Sequence, residues 1–125
     1  MKEKLPGIVE ELAKKFPNVW EAYNSLGEAV ADGPLSEREV KLVKLAIAVG
    51  AQKQGAVHSH AKRAFNAGIN KADLEQVALL GITTLGWPSA VAAYSWITEK
   101  LSGKTNSAKA AIGKKIPILT AKKHR

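Results

Sequence analysis

Two histidines stand two residues apart in the stretch Lys53-Gln54-Gly55-Ala56-Val57-His58-Ser59-His60-Ala61-Lys62-Arg63-Ala64. If this stretch is a helix, positions two apart point about 200° away from each other, so the two rings have different tasks. Val57, His60, Ala61, Ala64 and Phe65 recur at i, i+3 and i+4 spacing and form an inward stripe, while His58, Lys62 and Asn66 form an outward, solvated face. An inward imidazole is either a core histidine satisfied by a carbonyl or carboxylate, or an acid or base whose near-neutral pKa is tuned by burial. His60 is thus the candidate catalytic residue, with both readings open. The chain contains no cysteine, which removes disulfides, thiolate metal ligands and thiol nucleophiles together. Only His58, His60, His124 and the carboxylates remain as strong metal ligands, and neither a metal site nor a cofactor is expected.

The elements that must position His60 are all helical. With 125 residues, 46% of them apolar, the chain has the size of one domain with a real core, and no stretch alternates at period two as a half-buried strand would. Apolar spacing and capping residues predict an all-α domain of five or six helices over residues 1–102. A short helix covers residues 8–15. Asn18 with Glu21 caps a second, which carries Trp20, Tyr23, Leu26 and Val30 on one face and stops at Asp32-Gly33-Pro34. Ser36 with Glu39 makes a capping box for a third, reaching about Gln52. That helix is apolar on nearly all sides, from Val40 to Ala51, which predicts burial on nearly all sides, at the centre or at a subunit interface. The histidine helix opens at Gly55 and ends at Gly68, suited to a left-handed C-cap. Asn70 with Asp73 caps a fifth, running to Leu85; Gly86-Trp87-Pro88 breaks the chain and starts a sixth, ending near Leu101.

The net charge of +8 comes from 19 basic and 11 acidic residues, and Lys100, Lys104, Lys109, Lys114, Lys115, Lys122, Lys123 and Arg125 account for all of it. The part before residue 100 is neutral. Residues 103–125 read as a basic, mobile tail with a small apolar knot at Ile116-Pro117-Ile118-Leu119. No run approaches the roughly 18 apolar residues of a membrane span, and the opening Met1-Lys2-Glu3-Lys4-Leu5-Pro6 is unlike a signal peptide, so a cytoplasmic protein with no membrane contact is expected.

The order of these features, Ser36-x-x-Glu39, the apolar run from Leu42 to Val49, the His60 helix leading to Gly68, an acidic restart at Asp73, and Gly86-Trp87-Pro88-x-Ala90, resembles the carboxymuconolactone decarboxylase family, which includes the alkylhydroperoxidase AhpD. The resemblance spans about residues 10–101. It implies an AhpD-like helical fold and a homo-oligomer, a trimer or hexamer. The peroxidase branch uses Cys-x-x-Cys-x-x-x-His with a glutamate one helix earlier; His60 matches the histidine, Lys53 and Ala56 replace the cysteines, and Lys41 stands at the glutamate position. Thiol peroxidase chemistry is therefore not expected. Glu39 lies nearby but serves the capping box.

The decarboxylase branch needs no thiol. Its chemistry, as the resemblance implies, calls for cations that hold substrate carboxylates and one group that handles a proton. His60 can take the second task. Lys41, Lys44, Lys53 and Arg63 can take the first, and Trp87 would close the pocket around His60; each also has a plain surface role, such as an i, i+4 pair of Lys41 with Glu37. A non-thiol lyase acting on a small anionic substrate is the first reading. The alternatives are an inactive oligomer that binds a small molecule or serves structurally, and a nucleic-acid module acting through the basic tail. The absence of any aromatic ring after Trp96 weighs against the last.

Overall fold

The computed structural model describes residues 7–102, and the expected tail at 103–125 lies outside them. Among the described residues there are seven helical segments and no strand: α1 (Gly7–Lys15), α2 (Pro17–Ala31), α3 (Glu37–Ala51), α4 (Gln54–Asn66), α5 (Lys71–Leu80), α6 (Ile82–Leu85) and α7 (Trp87–Leu101). The all-α class is as expected. The extra segment arises because the helix expected to run to Leu85 breaks at Gly81, whose N–H donates to the Ala78 carbonyl three residues back at 3.0 Å. The chain divides into two compact units, one up to Val40 and one from Lys41.

In the first unit, α1 and α2 bury no residue. Phe16 occupies the N-cap position of α2 and makes no side-chain cap, with Pro17 in the first turn. The box expected from Asn18 is therefore displaced, because proline tolerates the first helical turn and the helix starts two residues earlier, at Pro17. Val19, Tyr23, Leu26 and Val30 form one exposed apolar stripe, and the Trp20 and Tyr23 rings lie 5.9 Å apart. The second box is present as read: Ser36 N–H donates to Glu39 Oε1 at 2.8 Å and Glu39 N–H to Ser36 Oγ at 3.0 Å.

The second unit holds the core. Leu45, Ala48 and Val49 of α3, Val57, Ala61, Ala64 and Phe65 of α4, Leu74 and Ala78 of α5, and Ala93, Ile97 and Leu101 of α7 bury together with Ile69. α4 and α5 both pack on α7. Within the single chain α3 does not take the central position: Val43 and Ile47 are 43% and 65% exposed. One face of this helix suffices to build the core, and its other apolar residues stay exposed among the described residues.

Two helix ends turn the chain through left-handed residues. After α4, Gly68 at φ 101° lets Gly68 N–H reach the Phe65 carbonyl at 3.0 Å and Ile69 N–H the Ala64 carbonyl at 3.1 Å, a Schellman closure that also tucks Ile69 into the core. After α3 the same pattern uses a residue with a side chain, Gln52 at φ 54°. Its backbone N–H donates to the Val49 carbonyl at 2.9 Å and Lys53 N–H to the Ala48 carbonyl at 3.3 Å. A non-glycine left-handed residue costs roughly 1–2 kcal/mol. Here the side chain offsets it, since Gln52 Nε2 donates to the Val49 carbonyl at 3.0 Å and to the Ser89 carbonyl at 3.1 Å, tying the end of α3 to the start of α7. Gln52→Ala keeps the strain and loses both bonds, so urea unfolding should show a loss of about 1–2 kcal/mol. Gln52→Gly relieves the backbone and should lose less; a larger loss for glycine than for alanine would contradict this account.

Candidate functional site

α4 is positioned by its alanines. Ala61 and Ala64 are fully buried, as is Ala93 of α7, and such small side chains let helices approach closely. With that stripe committed to the core, the residues on its flanks are presented to either side.

His60 lies on one flank, half-buried. Its Nδ1 stands 3.5 Å from Nη1 of Arg63, one turn further along α4. Burial, then the positive charges of Arg63, Lys44 and Lys41, hold its pKa below the ordinary imidazole value. Lys41 and Lys44, one turn apart on α3, and Arg63 on α4 therefore act on one imidazole from two helices. Three of the expected cations act on the expected histidine and, with burial, disfavour its protonation.

Lys53 does not join them. It is the exposed N-cap residue of α4, its carbonyl accepts from Val57 N–H at 2.9 Å, and its ammonium is not among the charges that depress His60. Trp87 is also placed elsewhere. It is 66% exposed and lines a cavity of about 370 Å³ with Ala72, Glu75, Gln76 and Leu79 of α5, Ile82 of α6, and Ala90, Val91 and Tyr94 of α7. None of His60, Lys41, Lys53 and Arg63 lines that cavity.

His58 departs from the solvated role expected of it. Its side chain is 22% exposed and its Nε2 points to α7, 3.7 Å from Glu99 Oε1, too long for a hydrogen bond. That nitrogen is shielded from solvent and has no hydrogen-bond partner. The facing of the two histidines in opposite directions holds, but the face opposite His60 is covered by α7. Nothing local could have signalled Glu99, because the pair joins helices far apart in sequence. Among the described residues, no three His, Asp or Glu side chains come together as a metal site would require, and no helix is long and apolar enough to cross a membrane.

The class of this all-α chain is given by direct comparison with known families. The sequence profile of the carboxymuconolactone decarboxylase family matches residues 17–99, and the chain belongs to that family. Comparison with curated proteins and with solved structures yields no match. Within the family this chain stands apart from the peroxidase pattern by lacking cysteine altogether.

The depressed pKa of His60 has a consequence for stability. In the unfolded chain His60 takes up a proton near its ordinary value, 6.5, and in the folded chain only at lower pH. Between the two the unfolded state binds more protons, so this contribution is fully present above about 6.5 and is lost as pH falls through the folded pKa. The stability of the wild type relative to His60→Gln should therefore shrink as urea unfolding is repeated from about pH 7.5 down to about pH 5. A difference that grows over that window would show that the cations do not face this ring.

Proposed function

We propose that the protein is a non-thiol lyase of the decarboxylase type, acting on a small substrate that bears two carboxylates, with His60 as the proton-handling group and Lys41, Lys44 and Arg63 as the charges that hold the substrate. What supports the reading is Arg63 at 3.5 Å from the half-buried His60 ring, on which the charges of Lys44 and Lys41 from α3 also act. In the free protein that arrangement is unfavourable for protonating His60. A dianion seated among the cations offsets their part of the depression and adds negative charge beside the ring, so binding the substrate favours uptake of a proton by His60 from solvent. The carbon–carbon bond to one carboxylate then breaks and carbon dioxide leaves. The electron pair moves into the conjugated system, and the carbon at its far end takes the proton from His60. The cations stabilise the charge as it spreads.

Carboxymuconolactone, together with related lactone dicarboxylates, is the panel on which to test this by carbon dioxide release. His60→Gln should lower turnover by about 100-fold or more, and Lys44→Gln should chiefly raise KM. Titrating an unreactive dicarboxylate into the protein in buffers of different ionisation heat should show proton uptake in the wild type and none in His60→Gln. Binding without proton uptake, or turnover of a hydroperoxide with a thiol reductant, would overturn the reading. An inactive binding protein would bind the dicarboxylate with an affinity that His60→Gln leaves unchanged.

We further infer that the chain assembles with itself, as a trimer or hexamer. Supporting this are Val43 and Ile47 on α3 and the Val19, Tyr23, Leu26 and Val30 stripe on α2, all exposed in the single chain. Apolar area of this kind is worth about 25 cal/mol per Å² when covered, and repeated identical patches close into rings. Light scattering at micromolar concentration should give a multiple of the 13.4 kDa chain mass, and Ile47→Asp should lower it. A monomer mass for the wild type would refute the assembly.

A further inference from the structure

The cavity that takes Trp87 away from His60 has an identity of its own. Seven of its nine lining residues are apolar or aromatic, Glu75 is the one charged side chain, and Gln76 adds an amide. Leu79, Trp87, Val91 and Tyr94 are each exposed, so this is an open groove along α5 and the first half of α7, with two aromatic rings in its wall. Aromatic-lined grooves of this kind take extended, proline-containing segments, because proline keeps the ligand extended and lowers the entropy lost on docking.

The chain supplies such a segment. Beyond Leu101, the one run of four apolar residues is Ile116-Pro117-Ile118-Leu119, preceded by Lys114 and Lys115 and followed by no acidic residue. We propose that this segment, residues 114–119, is the occupant of the groove: the apolar side chains and Pro117 against Trp87, Tyr94, Leu79 and Val91, and the two lysines toward Glu75. Reach favours it. Measured back along α7 from Leu101, Tyr94 is about 10 Å away and Trp87 about 21 Å. A flexible linker of 14 residues, the number at 102–115, has a typical end-to-end distance of about 21 Å. A linker whose typical length matches the span gives an effective concentration in the millimolar range, so a contact of only millimolar intrinsic strength is already substantially populated. Charge agrees as well, since the lining offers one carboxylate and no cation to a segment that carries cations and no carboxylate. The inference uses none of the residues assigned to the lyase reading and stands independently of it.

The experiment is fluorine NMR on the full-length protein labelled with fluorotryptophan, the Trp87 resonance being assigned by Trp87→Phe. In the double variant Ile116→Asp/Ile118→Asp, Trp87 should move to its solvated position while Trp20 and Trp96 stay, and the mass by light scattering should not change. The unmoved Trp96 signal reports that the fold is intact. A peptide of residues 112–121 with the native sequence, added to the variant at about millimolar concentration, should restore the wild-type Trp87 shift. The proposal is overturned if Trp87 is the same in wild type and variant, or if the peptide fails to restore it. A Trp87 shift that follows protein concentration in wild type and variant alike would also overturn it, because the occupant would then be a second copy of the chain.

Discussion

The close packing of α4 against α7 is the contact on which the second unit depends. Ala61, Ala64 and Ala93 contribute almost no side-chain bulk, so the helices approach closely and larger residues, Val57, Phe65, Leu74, Ile97 and Leu101, fill the space around them. Full burial of a Leu, Ile or Phe is worth roughly 1.5–3 kcal/mol, and these residues come from α4, α5 and α7 together. The same packing fixes the rotation of α4 about its axis. Once Val57, Ala61, Ala64 and Phe65 face inward, His58 must lean toward Glu99 and His60 toward the lysines of α3.

That fixed rotation gives the candidate site its electrostatic character. A site with a carboxylate beside the histidine would favour imidazolium and a resident proton. Here burial disfavours it most, and the charges of Arg63, Lys44 and Lys41 act in the same direction. His60 and the charges that act on it come from two consecutive helices, α3 and α4.

The molecule also divides its apolar surface unevenly. The second unit closes a core, whereas α1 and α2 bury nothing, and α3 keeps Val43 and Ile47 exposed beside its buried Leu45, Ala48 and Val49. The groove beside Trp87 is a further open apolar surface, separate in position and in chemistry from the cationic site: one carries a single carboxylate among rings, the other several cations around an imidazole.

What the sequence determined by itself was whatever depends on neighbours within a turn or two. Helical class, the Ser36–Glu39 box, the Gly68 closure, the buried stripe of α4 and the opposition of His58 and His60 all follow from local spacing, and the family resemblance put Lys41 at the glutamate position and suggested Lys41, Lys44, Lys53 and Arg63 as cations for an anionic substrate. Where local signals competed, the reading slipped: Pro17 took the helix start from Asn18, and Gly81 broke a pattern whose apolar period ran on to Leu85. Tertiary structure alone decided which side of an element is covered. Apolar residues all around α3 state that the helix can be buried on any side, but only the positions of α4 and α7 select Leu45, Ala48 and Val49 and leave Ile47 out. It also took those positions to turn His58 toward Glu99 and to set Trp87 in a groove apart from His60, because periodicity fixes directions about one helix axis and says nothing of which other helix lies in that direction.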